Sequence, residues 1–331
     1  MSHNLRFARR GFLKAVAASA AVAAVPFATT NASAQSPKEI RVDFATYNPV
    51  SLVLRERGIL EKALAPEGIA VRWIQSAGSN RALEFMNAGS LDFGSTAGAA
   101  ALIGRVNGNP IRSIYVFSRP EWTALVTTDK SGIVNVADLK GKRIAVTRGT
   151  DPHIFLIRAL AEAKLTERDV RLVLLQHQDG KLALERGDVD AWAGLDPLMA
   201  AAELESGAKL FHRKAADNTW GILNVREEFA QKNPALVSAV LKAYDEARAW
   251  AIANPVELRK VLTDFTKLPE PVVVRQLERT ELNHGPLGQA QVDTIVAAGE
   301  ALKLAGVLPA TTDVAAQVNA LFDRRFTTAS R

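Results

Sequence analysis

The chain has 331 residues, 48% of them hydrophobic, and a formal net charge of +6. That is enough for one large or two medium domains with a sizeable core. It contains no cysteine, which excludes disulfides, thiolate nucleophiles, iron–sulfur clusters, cysteine zinc sites and a lipoprotein anchor.

Residues 1–34 read as an export signal. Arg9 and Arg10 precede Phe12, Leu13 and Lys14, an alanine-rich apolar stretch follows from Ala15 to Phe27, and Ala32 to Ala34 gives the small-x-small pattern of a signal peptidase site. The stretch is too short to span a bilayer, and the paired arginines read as a twin-arginine signal. Losing the four basic residues of this segment lowers the formal charge to +2 for residues 35–331. No basic run then remains to favour nucleic acid. With no long apolar run left, the processed protein is expected to be soluble in the periplasm.

From residue 35 the same unit occurs twice. Ile40 to Leu60 is an alternating strand, a turn and an amphipathic helix, and Lys142 to Ala163 has the same order. Second strands start at Ile69 and Asp169. Short glycine-ended helices then lead into "SLDFG" and "DVDAW". Strand–helix–strand–helix–strand predicts a parallel sheet with right-handed crossovers, so two α/β lobes are expected. Asn218 to Val225 is a further strand, and the rest is mostly helical, with Asn233–Pro234 and Asn254–Pro255 as helix starts. Leu236, Val240, Ala243, Ala247 and Trp250 form a packing stripe that returns to the first lobe. The division expected is 35–125 for the first part of lobe 1, 126–220 for lobe 2, and 221–331 for the remainder of lobe 1 and the C-terminal helices. The chain then crosses twice, near Val116 to Val126 and near Asn218 to Val225, which makes a hinge and a cleft.

Ligands of such sheets sit beyond the carboxyl ends of the strands. Three turns are expected there: Thr46 to Ser51, Gly94 to Gly98 and Arg148 to His153. Free N–H groups and the helix dipole make such turns anion sites without formal charge. Ser95 or Thr96 caps a helix and donates to a ligand oxygen, while Ala97 and neighbouring glycines let backbone approach closely; Gly78 joins the set. Simple helix capping explains any one of these turns equally well.

The residues "NAGSLDFGST" and "GDVDAWAGLDP", with "DLKGKRIAVTRGT" and "NPALVSAVLKAYDEARAWAIANP", resemble the solute-binding proteins of ABC importers for aliphatic sulfonates, taurine and nitrate. The resemblance covers Ile40 to about Leu321. It implies a type II periplasmic binding protein fold, with a sulfonate head resting on Ser95–Thr96 and Gly149–Thr150. Tyr47–Asn48 would close one side, and Asp196 would accept from a ligand amine or polar group. It also implies an ABC permease and its ATPase as partners of a monomeric binding protein with no cofactor, no metal and no catalysis. The ligand implied is a small organic anion, an aliphatic sulfonate or taurine-like compound; a nitrate-like anion, a pyrimidine precursor and an aromatic acid are the alternatives. This chain departs from the family's wording at Ala97–Ala99 and at Leu195, where an aromatic is frequent. Asp151 would repel an anion unless Arg148 or His153 offsets it.

Trp122 and Trp220 fall in the two crossings, as walls for an apolar tail. His153 stands in the second-lobe turn, with a pocket role open to it. His177, His212 and His284 read as solvated. A different class is also on offer: "GSTAG" fits a nucleophile elbow with Thr96 as nucleophile, Asp196 and His284 completing a triad, although a β-branched residue suits that strained turn poorly.

The export reading predicts that protein recovered from the periplasm begins at Gln35, and that replacing Arg9 and Arg10 by lysine blocks export. N-terminal sequencing checks this, and an intact Met1 in a cytoplasmic fraction contradicts it.

Overall fold

The structure, a computed structural model, describes residues 37–326, so the export signal and its cleavage site lie outside the described residues. In chain order the strands are β1 (Glu39–Phe44), β2 (Ala70–Gln75), β3 (Phe93–Ala97), β4 (Ile111–Pro120), β5 (Thr123–Thr127), β6 (Arg143–Val146), β7 (Arg171–Leu174), β8 (Ala191–Leu195), β9 (Lys209–His212), β10 (Gly221–Arg226) and β11 (Thr280–Glu281). They form two sheets, one in the order β11-β4-β10-β3-β1-β2 and one in the order β7-β6-β8-β5-β9.

The sheets are mixed, not parallel throughout. β2, β1 and β3 run parallel, as do β7, β6 and β8, and these are the two copies of the repeat. β10 is antiparallel to β3, and β5 is antiparallel to β8. The cause is the path of the chain. Each of these strands arrives from the other sheet and enters at the carboxyl ends of its neighbours, so it must run against them. The first passage is short: β4 ends at Pro120 and β5 begins at Thr123, leaving Glu121 and Trp122 between sheets. β5 thus belongs wholly to the second sheet. The second passage runs from β9 to β10 through residues 213–220.

The helical tail packs as its stripe predicts. On the helix Pro234–Ala253, Leu236, Val240, Ala243 and Ala247 are buried in the core of the first lobe. The Arg57 guanidinium stacks 4.2 Å from the ring of Trp250 at its margin. Asn233 and Asn254 do stand before their prolines, but their side chains donate backward to the carbonyls of Phe229 and Trp250. They close the preceding helices and do not cap the following ones. The tail also reaches the second lobe, where Val272 packs on Ala200 and Ala201.

Ser95 organises a buried polar cluster in the first lobe. Its N–H and its hydroxyl each donate to the Asp43 carboxylate at 2.8 Å. The Asn48 amide donates to its Oγ at 2.8 Å, and the Tyr47 hydroxyl to its carbonyl at 3.0 Å. Burial raises the pKa of Asp43 to about 6 from 3.8, against the pull of the Ser95 bonds. The native carboxyl therefore holds its proton more tightly than the unfolded chain does, so this group adds stability as pH falls from 8 towards 5. Urea unfolding of wild type and Asp43→Asn measures it: the wild type should gain about 1 kcal/mol over that interval relative to the variant. An equal pH slope in the two proteins contradicts the assignment.

Candidate functional site

Three strand-to-helix turns of each sheet, six in all, are built at equivalent places: after β1, β2 and β3, and after β6, β7 and β8. Between the sheets lies a small cavity lined by Tyr47, Ser79, Trp122, Thr150, Asp151, Pro152 and Leu195. The space open to the centre of a water molecule there is about 10 Å³, on the order of one water. Roomier hollows of about 330 Å³ beside Leu204 and Glu270, and about 380 Å³ beside Asp129 and Glu185, lie away from all six turns.

Of the residues expected from sequence, Tyr47, Trp122, Thr150 and Asp151 line this cavity. The Tyr47 and Trp122 rings meet edge to face, with centroids 5.8 Å apart at 83°. Gly78 and Gly149 flank it, next to Ser79 and Thr150. Gly149 supplies the positive φ of 77° that lets its turn bend into the helix Asp151–Glu162. The Thr150 hydroxyl donates to the Thr147 carbonyl at 2.6 Å.

Asp151 is buried, and it does not confront the cavity as a bare charge. One oxygen accepts from Trp122 Nε1 at 2.8 Å and from the Thr219 N–H at 2.9 Å; the other accepts from the Thr219 hydroxyl at 2.5 Å. The donors come from both passages between the sheets. Burial pushes the carboxyl pKa up, and the Thr219 and Trp122 bonds and Arg158 oppose that. Arg148 and His153, the offsets expected from sequence, are turned elsewhere. Arg148 is exposed and faces Glu167 at 3.9 Å, and His153 Nε2 meets the same Glu167 carboxylate at 2.9 Å. That bond from His153 depresses the Glu167 pKa.

The Gly94 to Gly98 turn is corrected most. Ser95 and Thr96 stand inside β3, paired with Leu223 and Ile222 of β10, and neither caps a helix. The Ser95 hydroxyl is spent on Asp43, while Thr96 Oγ1 accepts from the Asn224 amide at 2.8 Å. The helix Gly98–Val106 begins two residues later, and its first donors are taken: Gly98 N–H bonds the Thr219 carbonyl at 2.6 Å and Ala99 N–H the Thr219 hydroxyl at 3.0 Å. A Cβ on Gly98 would lie 3.0 Å from that carbonyl and 2.5 Å from Ile295, so only glycine admits this approach. The Ala97 N–H donates to Ser79 Oγ at 3.0 Å. Thr96 is therefore not on an elbow. Its proposed triad partners stand with other residues, Asp196 against Arg279 and His284 against Glu281 and the ring of Trp220.

Asn48 belongs to the Ser95 cluster and also accepts from the Ser51 N–H, capping the helix Pro49–Glu56. Asp196 accepts from Ala200 N–H at 2.8 Å and from Arg279 at 3.4 Å. Its pKa is raised to about 7 by burial, which Arg279 opposes, so this acid is engaged by the protein itself. Trp220 turns away from the cavity and donates to Thr294 at 3.2 Å.

Sequence reasoning missed Ser79, Pro152 and, nearby, His177. Ser79 carried a signal in the "GSN" that follows β2, the same glycine-hydroxyl device as the other turns. His177, read as solvated, is 3% exposed.

The fold is the type II periplasmic binding protein fold: the chain superposes on the alkanesulfonate-binding protein SsuA from Xanthomonas axonopodis pv. citri bound to MOPS with a TM-score of 0.78. The two are 25% identical, over 85% of this chain and 98% of that one. The NMT1/THI5-like family matches residues 64–258, and the chain belongs to that family. Among relatives, a chain of Escherichia coli (strain K12) named for binding aliphatic sulfonates is 29% identical over 249 residues, 75% of this chain and 77% of its own length. The taurine-binding periplasmic protein of the same organism is 27% identical, over 73% of this chain and 80% of its own length. No helix among the described residues is long and apolar enough to cross a membrane.

The Thr219 hydroxyl both donates to Asp151 and accepts from Ala99, so Thr219→Val should lower the unfolding free energy by about 2–4 kcal/mol. Urea denaturation measures it, and a loss near zero contradicts the role given to this residue.

Proposed function

We propose that this protein is the exported solute-binding component of an ABC importer. It captures a small organic anion, an aliphatic sulfonate or a taurine-like compound, between its lobes and delivers it as a monomer to a membrane permease and its ATPase, without turning it over. The observation that carries the reading is the meeting of the Ser79 and Thr150–Asp151 helix starts at one cavity under the Tyr47–Trp122 wall. The names of the sulfonate and taurine relatives support the same ligand class.

Recognition on this reading is by hydroxyls, N–H groups and helix dipoles instead of a cationic clamp. Ser79 Oγ accepts from Ala97 N–H, which leaves its own proton for a ligand oxygen. A space of about 10 Å³ is too small for a sulfonate, so on this reading the lobes part to admit the ligand and close around it. The Tyr47 and Trp122 rings would cover its carbon chain.

Calorimetric titration with small sulfonates tests the proposal. Ethanesulfonate or 2-aminoethanesulfonate should bind one to one, and Ser79→Ala should weaken binding by about 10- to 150-fold, the worth of one hydrogen bond to a charged group. Absence of binding by every small sulfonate would overturn the ligand class, and unchanged affinity in Ser79→Ala would overturn the site.

A further inference from the structure

Next to Gly78, which precedes the cavity residue Ser79, lies a group of buried polar atoms. His177 opens the helix His177–Arg186 after β7, the turn of the second lobe equivalent to the one that carries Ser79 in the first. It is 3% exposed, and neither ring nitrogen has a hydrogen-bond partner. Asn80 Oδ1 is likewise buried without a partner.

Gly78 shows how close these atoms lie. A Cβ built on it would stand 2.8 Å from Asn80 Oδ1 and 3.1 Å from His177 Nε2. The Cβ of Asn80 in turn lies 3.9 Å from the Cβ point of Gly149, which precedes Thr150. The group therefore joins the two turns that supply Ser79 and Thr150 to the cavity.

A buried polar atom without a partner costs about 1–3 kcal/mol, and two such side chains, Asn80 from one lobe and His177 from the other, brought together at Gly78 point to a group that they would bond. Their character is unequal. Asn80 Oδ1 accepts only; a neutral imidazole supplies one acceptor and one donor. Burial lowers the His177 pKa to about 3, so the ring stays neutral and adds no positive charge for an anion.

We infer that His177, with Asn80, contacts the ligand and forms an acceptor-bearing subsite for a hydrogen-bond-donating substituent, an ammonium or hydroxyl group, borne a short distance from the anionic head. The inference rests on the proposed capture of a sulfonate at the Ser79 and Thr150 turns. It selects within that class: the ligand is an amino- or hydroxy-substituted organic anion, and a plain alkyl chain leaves the acceptors unpaired.

Calorimetric titration of the full chain with 2-aminoethanesulfonate, 2-hydroxyethanesulfonate and ethanesulfonate tests this, on wild type, His177→Leu and His177→Gln. The wild type should prefer the two substituted sulfonates by about tenfold or more, the worth of one added hydrogen bond. His177→Leu should bring the three affinities together, and His177→Gln, which keeps a donor and an acceptor, should retain most of the preference. A purely structural histidine with no partners predicts otherwise: leucine would leave the preference intact while the unfolding midpoint stays level or rises. Should His177→Leu fail to fold, Asn80→Ala takes its place with the same expectation. Ethanesulfonate binding as tightly as the substituted sulfonates in the wild type, or a preference unchanged in both His177→Leu and Asn80→Ala, would overturn the inference and leave the proposed function standing. Binding of none of the three sulfonates would overturn both.

Discussion

The Asp151 carboxylate is the point at which the two halves of this molecule are tied. It sits in the first turn of the helix Asp151–Glu162 in the second lobe, where the helix dipole favours a negative charge. Its partners are Trp122 in the first passage between sheets and Thr219 in the second. Thr219 then caps the helix Gly98–Val106 of the first lobe through its carbonyl and hydroxyl. One chain of hydrogen bonds thus runs from a helix start in one lobe, through the connecting segment, to a helix start in the other. Buried and low in dielectric, such a chain is costly to break at any one member.

That arrangement also decides what the cavity offers. A carboxylate free beside an anion site would repel the ligand; here both oxygens are occupied by neutral donors. The positive ends of the helices, the Ser79 hydroxyl and aromatic rings remain to face a ligand. Glycine is needed where atoms from distant parts of the chain crowd the backbone. Gly98 lies against the Thr219 carbonyl, and Gly78 leaves room only for the atoms of Asn80 and His177.

Much of the fold was legible because it depends on local pattern. Alternation from Ile40 and from Lys142 marked β1 and β6, and the repeat of strand, helix and glycine-ended helix marked the parallel part of each sheet. The antiparallel β5 and β10 were not legible as such, since their direction follows from the passage between lobes and not from their own residues. Ser95 and Thr96 looked like turn residues, yet pairing with β10, more than a hundred residues away, extends β3 through both. Asp151 appeared as a bare charge because Trp122 and Thr219 are distant in sequence. His177 had no signal of its own in a polar stretch; only its place in the second repeat, matching Ser79 in the first, could have singled it out.

The most direct test of this account is a crystal structure of the protein grown with 2-aminoethanesulfonate. The account predicts the ligand between the lobes, its sulfonate oxygens on the turns of Ser79 and Thr150 beneath the Tyr47 and Trp122 rings, with the Asp151 bonds to Trp122 and Thr219 unchanged. A sulfonate resting on the hydroxyls of Ser95 and Thr96, or bound outside the space between the lobes, would contradict it.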